Sequence, residues 1–212
     1  VAMGIGKMVF GGLGMNLFNP AMVGRAFVMI AFAGNLAASG YIDPGSGVDI
    51  LSQATPLTAY KQTGTATPLE LLLWGNTNGS IGETSALACL LGGLYLCFRR
   101  VASWEIPAGI LISAVIIGGL ANLANLSNPW TAVHHLLGGA LLFGAFFIAT
   151  DPVTSPLTSK GKWIFGVGIG VLVMLLRFLS GYPEGVMFAV LLMNAVTPLI
   201  NRWTIPRPFG GV

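Results

Sequence analysis

Apolar residues run along this chain in long blocks rather than in alternation. Six blocks approach the length of a bilayer span, at roughly 20–38, 84–98, 105–124, 132–150, 163–179 and 185–201. A helical span needs about 20 mostly apolar residues. The second and fifth blocks are short, so they extend at one end or cross a thinned region. Polar punctuation separates the blocks: Arg99 and Arg100, Asn125 to Pro129, Asp151-Pro152 followed by Lys160 and Lys162, and Ser180 to Pro183. The pattern predicts an all-α fold, a polytopic transmembrane helix bundle with about six spans in a single domain over 1–212. Ahead of the first block, 8–20 is apolar but interrupted by glycines, and Asn19-Pro20 reads as an N-cap followed by the first helical residue. Irregular backbone at membrane depth is tolerated where it is buried in protein or lines a cavity. This stretch is therefore predicted to be a broken or re-entrant segment, or the end of a longer helix. The chain opens at Val1 without the pattern of a signal peptide and reads as lacking its natural N-terminus.

Composition sharpens the class. Hydrophobic residues make up 54% of the 212 and charged residues 8%, against about 25% charged in soluble domains. So little charge excludes a water-soluble globule of this size. The basic residues are scattered singly and form no stripe that could follow phosphates, which excludes nucleic acid as a partner; the lipid bilayer is the surrounding medium. Cys89 and Cys97 lie eight residues apart in one apolar run. On a helix that separation is about 12 Å, too far for a disulfide, so both read as small buried apolar residues.

The charges also orient the bundle, because basic residues collect in cytoplasmic loops. The stretch 39–83 has one basic residue, Lys61, against four acids; 99–104 has Arg99 and Arg100; 125–131 has none; 151–162 has Lys160 and Lys162; the tail has Arg202 and Arg207. Rich and poor loops alternate, which puts Lys7 and the C-terminus in the cytoplasm and 39–83 outside. Arg177 opposes the trend and reads as held in place for a local reason.

Polar residues inside the blocks are candidate sites, since ionisable groups within a membrane usually face the bundle interior. Arg25 either snorkels to the interface or contacts an anion or a bound ring inside the bundle. His134 and His135 read first as a wet interfacial pair. Asn122, Asn125 and Asn194 read as hydrogen bonds between helices. Glu70 and Glu83 either bind a cation or are solvated.

The outer loop contains Asp49-Ile-Leu-Ser52-Gln53-Ala54-Thr55-Pro56-Leu57. On its own, Thr55-Pro56 begins a turn or short helix. The stretch resembles the flavinylation motif D-x-x-S-x-A-T of the membrane subunits RnfD, of the Rnf complex, and NqrB, of the sodium-pumping NADH:quinone reductase. Strict versions of the motif have Gly where Ile50 and Gln53 stand. Further segments in the same order resemble that family: GGLGMNLFNPAMVGRAF, GAFFIATDPVTSP and RFLSGYPEGVMFAVLLMNAVTPLI.

The resemblance implies that a flavin transferase joins FMN to Thr55 through a phosphoester, with Asp49, Ser52 and Ala54 as motif residues. A second Thr-Pro-Leu, at Thr67, lacks the upstream Asp and Ser. The resemblance further implies a non-covalent riboflavin, for which the Gly-rich segment 11–25, with Asn19 and Arg25, is the expected place. Arg177 is expected to contact the flavin phosphate or pair with Glu184 at the outer mouth. The family role is that of an electron-transfer subunit in an ion-translocating ferredoxin:NAD+ oxidoreductase of a bacterial or archaeal cytoplasmic (inner) membrane. It works beside other membrane and peripheral subunits and couples electron flow to Na+ or H+ movement. The competing reading is a channel or secondary transporter with Thr55 unmodified; broken helices at Asn19-Pro20 and Asp151-Pro152 suit it as well.

Overall fold

A computed structural model describes residues 1–12, 14–32, 55–64, 66–77, 79, 84–124, 129–180 and 185–206. Asp49, Ser52, Ala54, Glu83, Asn125, Glu184 and Arg207 lie outside the described residues. The regular elements of the described part are all helices: α1 (Pro20–Ala31), α2 (Pro56–Thr63), α3 (Leu69–Trp74), α4 (Ala86–Phe98), α5 (Glu105–Leu123), α6 (Ala132–Leu137), α7 (Leu141–Phe143), α8 (Ser159–Leu179) and α9 (Val186–Thr204), with the short turns described below. Among these, α5, α8 and α9 are long and apolar enough to cross a membrane. The architecture is the expected all-α membrane bundle.

Side-chain caps set several starts. Asn19 accepts from the amides of Ala21 (3.0 Å) and Met22 (3.3 Å), with Pro20 at the first helical position. Ser85 and Thr158 cap α4 and α8 in the same way. The fifth block resolves as the longer α8, whose helix begins before the apolar run and takes in Lys160 and Lys162. The block at 132–150 departs from a single span. It breaks at Gly138-Gly139, where Gly139 has φ +73°, and resumes as α7 followed by a π-helical turn over Gly144–Ile148. Close packing accounts for the glycines: a Cβ on Gly138 would lie 2.9 Å from the Trp130 ring, and one on Gly144 would strike Val186 Cγ1. Before α1 the backbone is irregular, a 3-10 turn at Met8–Phe10 followed by positive φ at Gly11, Gly12 and Gly14.

α5 and α8 form the centre. Ile106 meets Gly166, Gly109 meets Val167, and Ile110 meets Gly170, so both numbers rise together and the helices run parallel. Glycines at the seam let the backbones touch, as small residues do between membrane helices. α9 runs the other way. Its last turns return to the start of α8 through Thr204, which accepts from Thr158 at 2.7 Å, and Asn201, which accepts from the Leu157 amide at 3.0 Å. Ile106, Ile110, Phe165, Ile169, Val173, Met174, Val190 and Ile200 fill the core between the three, and Met22 joins it from α1. α4 packs on the π turn, where Phe146 lies over Gly93.

This arrangement gives the bundle two distinct ends. Arg99, Arg100, Lys160, Lys162 and Arg202 gather at the end where α5 and α8 begin, braced by Lys162 Nζ to Ser103 Oγ (2.6 Å), Ser159 Oγ to Glu105 (3.0 Å) and an edge-on Trp104–Trp163 pair. The other end is made by the close of α8 and the starts of α6 and α9.

Asn194, expected to bond between helices, does not do so. It is fully buried on α9, and neither amide atom has a hydrogen-bond partner among the described residues. Pro198, four residues on, also lacks the N–H that would reach the Asn194 carbonyl. A buried amide left unmatched costs about 1–3 kcal/mol. Asn194→Leu is therefore expected to raise the thermal unfolding temperature of the detergent-solubilised protein.

Candidate functional site

Thr55 stands at the head of α2. Its Oγ1 accepts from the Thr58 amide at 3.3 Å and lies 2.8 Å from Thr58 Oγ1, and Pro56 holds the first helical position. Gly64, in the left-handed conformation, closes the helix after Thr63. The Thr-Pro pair thus begins a short helix, as its residue types suggest, and places the hydroxyl at the helix's positive end.

α2 rests on the bundle end opposite the basic residues. Leu57 is buried. Tyr60 stacks on Trp130 with ring centroids 4.7 Å apart and planes at 22°, and sits edge-on to His135 at 6.4 Å. Such a stack contributes about 0.5–1.5 kcal/mol beyond the area it buries. Lys61 Nζ donates to the Ser180 carbonyl, the C-cap of α8, at 2.8 Å. Burial, and after it the Arg177 charge, hold Lys61 below the usual amine range, and burial pushes the Tyr60 phenol up.

Beneath α2 lies a compact group of polar and aromatic side chains. His134 and His135 are buried, not wet. The reason is aromatic cover that arrives from elsewhere in the chain, Tyr60 from α2, Trp130 from the preceding connector and Phe178 from α8. His134 Nδ1 accepts from the Thr131 amide (3.2 Å) and lies 2.7 Å from its hydroxyl, closing the first turn of α6, and the ring is also hydrogen-bonded to the backbone of Thr67. Among the described residues, His135 has no hydrogen-bond partner on either ring nitrogen.

Arg177 is buried, and its guanidinium donates to the carbonyls of His135 and, at 2.9 Å, Gly138. The charge on the wrong side of the bundle thus closes the end of α6, where helical carbonyls lack amide partners. Removing it would leave two buried carbonyls unmatched. Arg177→Met is expected to destabilise the protein by about 2–6 kcal/mol, from a cost of about 1–3 kcal/mol for each of the two stranded groups. Arg177→Lys should recover only part of this, because an ammonium does not reproduce the planar fork. Thermal unfolding of both variants checks the order.

Thr67, the second Thr-Pro-Leu, precedes the six-residue α3, whose N-cap is Pro68 and which has no side-chain cap. Glu70 is exposed in the first turn of α3. Asn19 is occupied by its capping bonds, and Arg25 is half-buried on α1 next to Gly24, which packs on Ala2.

At the basic end, the glycine-rich segment meets two other parts of the chain around a cavity of about 250 Å³. Its polar lining comes from Asn16, Thr154, Ser155, Thr197 and Asn201. Thr197 Oγ1 donates to the Thr154 carbonyl at 3.1 Å, and Thr154 Oγ1 to Asp151 at 2.9 Å. Sequence reasoning leaves out Asn16, Thr197 and Asn201 here, and Tyr60 and Trp130 at the other end. The available signals are a polar i, i+4 pair beside Pro198 and a Trp inside an otherwise polar connector.

The chain matches the NQR2, RnfD, RnfE family over residues 1–210. Among curated relatives, one from the proton-translocating ferredoxin:NAD(+) oxidoreductase complex of Clostridium ljungdahlii is 42% identical over 99% of this chain and 66% of its own length. Its counterpart in the Na(+)-translocating ferredoxin:NAD(+) oxidoreductase complex of Acetobacterium woodii is 41% identical over 99% of this chain and 64% of its own. A third, from the Na(+)-translocating NADH-quinone reductase of Azotobacter vinelandii, is 40% identical over 97% of this chain and 54% of its own. The chain spans about two thirds of the length of the two ferredoxin:NAD(+) relatives.

Proposed function

The chain belongs to the NQR2, RnfD, RnfE family, and we propose that it is part of a membrane electron-transfer subunit that carries FMN on Thr55, within an ion-translocating ferredoxin:NAD+ oxidoreductase. Its setting is a bacterial or archaeal inner membrane, with other redox subunits as partners, α2 on the outer side and the C-terminus in the cytoplasm. Electron flow is coupled to Na+ or H+ movement.

One observation carries the reading: the motif's acceptor residue heads an eight-residue helix at the bundle end opposite the basic residues. A phosphoester there is chemically matched. The first amides of a helix point outward, and the helix dipole favours a negative group beside them. Forming the Oγ1–P bond removes the hydroxyl proton of Thr55 and expels a leaving group from the phosphorus of the flavin donor that the transferase supplies, and the phosphate oxygens can accept from the Thr58 amide that Thr55 Oγ1 now caps. Asp49, Ser52 and Ala54 precede Thr55 as the motif that a flavin transferase reads. Arg177 and Lys61 place positive charge at the same end. The flavin supplies one- and two-electron redox chemistry when bound; the chain anchors it and sets the charge around it.

We infer that riboflavin, expected at segment 11–25 with Asn19 and Arg25, sits in the cavity at the basic end, to which that segment contributes Asn16 and Leu17 but neither Asn19 nor Arg25. Amide and hydroxyl groups from Asn16, Thr154, Ser155, Thr197 and Asn201 offer the donors and acceptors that a flavin's pyrimidine edge and ribityl chain require.

The test is covalency. Protein made together with a flavin transferase should keep flavin fluorescence on a denaturing gel. A dark band would favour the channel or transporter reading.

A further inference from the structure

We propose that Tyr60 and Lys61 are positioning residues that hold the flavin-bearing helix, and so the group anchored at its head, in a fixed place on the bundle. The proposal rests on Thr55 being the flavin acceptor. A group esterified to a side chain keeps several rotatable bonds, so its reach is defined only if its anchor is. α2 has eight residues, too few to stay helical or in place by itself. Its position comes from contacts with elements of the bundle.

Tyr60 supplies one contact through the stack on Trp130, a residue with no exposed surface, and the edge contact on His135. Lys61 supplies the other, reaching the carbonyl that ends α8. A lysine needed only for solubility would extend into water. This one is half-buried, and its ammonium donates to the Ser180 carbonyl at 2.8 Å. The support beneath is firm: Arg177 ties α8 to the His135 and Gly138 carbonyls, and Phe178 packs edge-on against His135 at 5.4 Å.

Both residues follow Thr55, whereas the motif residues precede it. Attachment and positioning are therefore separable. A transferase needs the motif and a reachable hydroxyl; the stack and the lysine contact act after the flavin is attached.

The experiment uses Tyr60→Leu, Lys61→Met, the double variant and Tyr60→Phe, each made with a flavin transferase and purified with its partner subunits. All four should carry as much covalent flavin as wild type on denaturing gels. In the native complex, flavin fluorescence anisotropy should fall in Tyr60→Leu and Lys61→Met. Electron flux should drop several-fold in the double variant, because electron transfer slows with every ångström added between the flavin and its redox partner. Tyr60→Phe, which keeps the ring, should keep both properties. Wild-type anisotropy and flux in the fully flavinylated double variant would overturn the proposal. So would a Tyr60→Phe variant as impaired as Tyr60→Leu, or a loss of flavin loading confined to the variants. A wild-type chain with no covalent flavin would instead overturn the acceptor reading on which the proposal rests.

Discussion

Thr55→Ala, made together with a flavin transferase, is expected to fold and enter the membrane but to keep no flavin after denaturation. The loss should be complete, because Ala offers no oxygen to esterify. Two effects overlap in this variant. Thr55 also caps α2, and losing such a cap costs about 1 kcal/mol. Thr55→Asn separates them: Asn caps a helix as well as Thr does but has no hydroxyl. Both variants should be dark on the gel, while only the Ala variant should show weakened α2, seen as faster amide exchange over 56–63. Fluorescence that survives in both would move the attachment elsewhere, with Thr67 the next candidate.

Gly170→Leu is expected to remove the folded protein altogether. A Cβ at this position would strike Ser113 Oγ and come within 2.7 Å of the Ile110 carbonyl oxygen and 3.2 Å of its Cα. A hydroxyl can rotate away; a helix backbone can only separate. Separation would open the α5–α8 seam, where Gly109 and Gly166 meet their neighbours at similarly close range. Even Gly170→Ala should cost about 1–3 kcal/mol, the usual range for overpacking, and Leu adds a branched side chain to the same clash. Gly119 on α5 provides the contrast, because a Cβ there meets nothing within 4 Å. Gly119→Ala should be neutral or stabilising by up to about 1 kcal/mol, from helix propensity alone. The yield of monodisperse protein in detergent, followed by thermal unfolding, checks the pair. Equal behaviour of Gly170→Leu and wild type would mean that the parallel α5–α8 contact is wrong.

The long helices are legible because hydrophobic length and charged punctuation are one-dimensional signals. α5 and α9 emerge close to their apolar blocks, and α8 extends past its block only because Ser159 to Lys162 is polar yet helical under the Thr158 cap. The break inside 132–150 is not legible. Its glycines would look the same in an unbroken, close-packed helix, and what demands them is Trp130 and Val186 on facing elements. The burial of His135 is hidden for a related reason: its cover comes in part from Tyr60 and Phe178, distant in sequence. Arg177 falls between these cases. Loop charge marks it as out of place, but the His135 and Gly138 carbonyls that hold it there become visible only in three dimensions. At the site, Thr55-Pro56 declares a helix start, and the motif marks the same residue as the proposed acceptor. The platform beneath it has no local signature.

The central claim is that the Thr55 hydroxyl carries the flavin. The most direct test is peptide mass spectrometry on the chain purified from cells that contain a flavin transferase. The peptide spanning 49–61 should be heavier than its sequence mass by one FMN less one water, with fragmentation placing the added mass on Thr55. An unmodified peptide in fully recovered protein, or the same added mass on the peptide that contains Thr67, would contradict it.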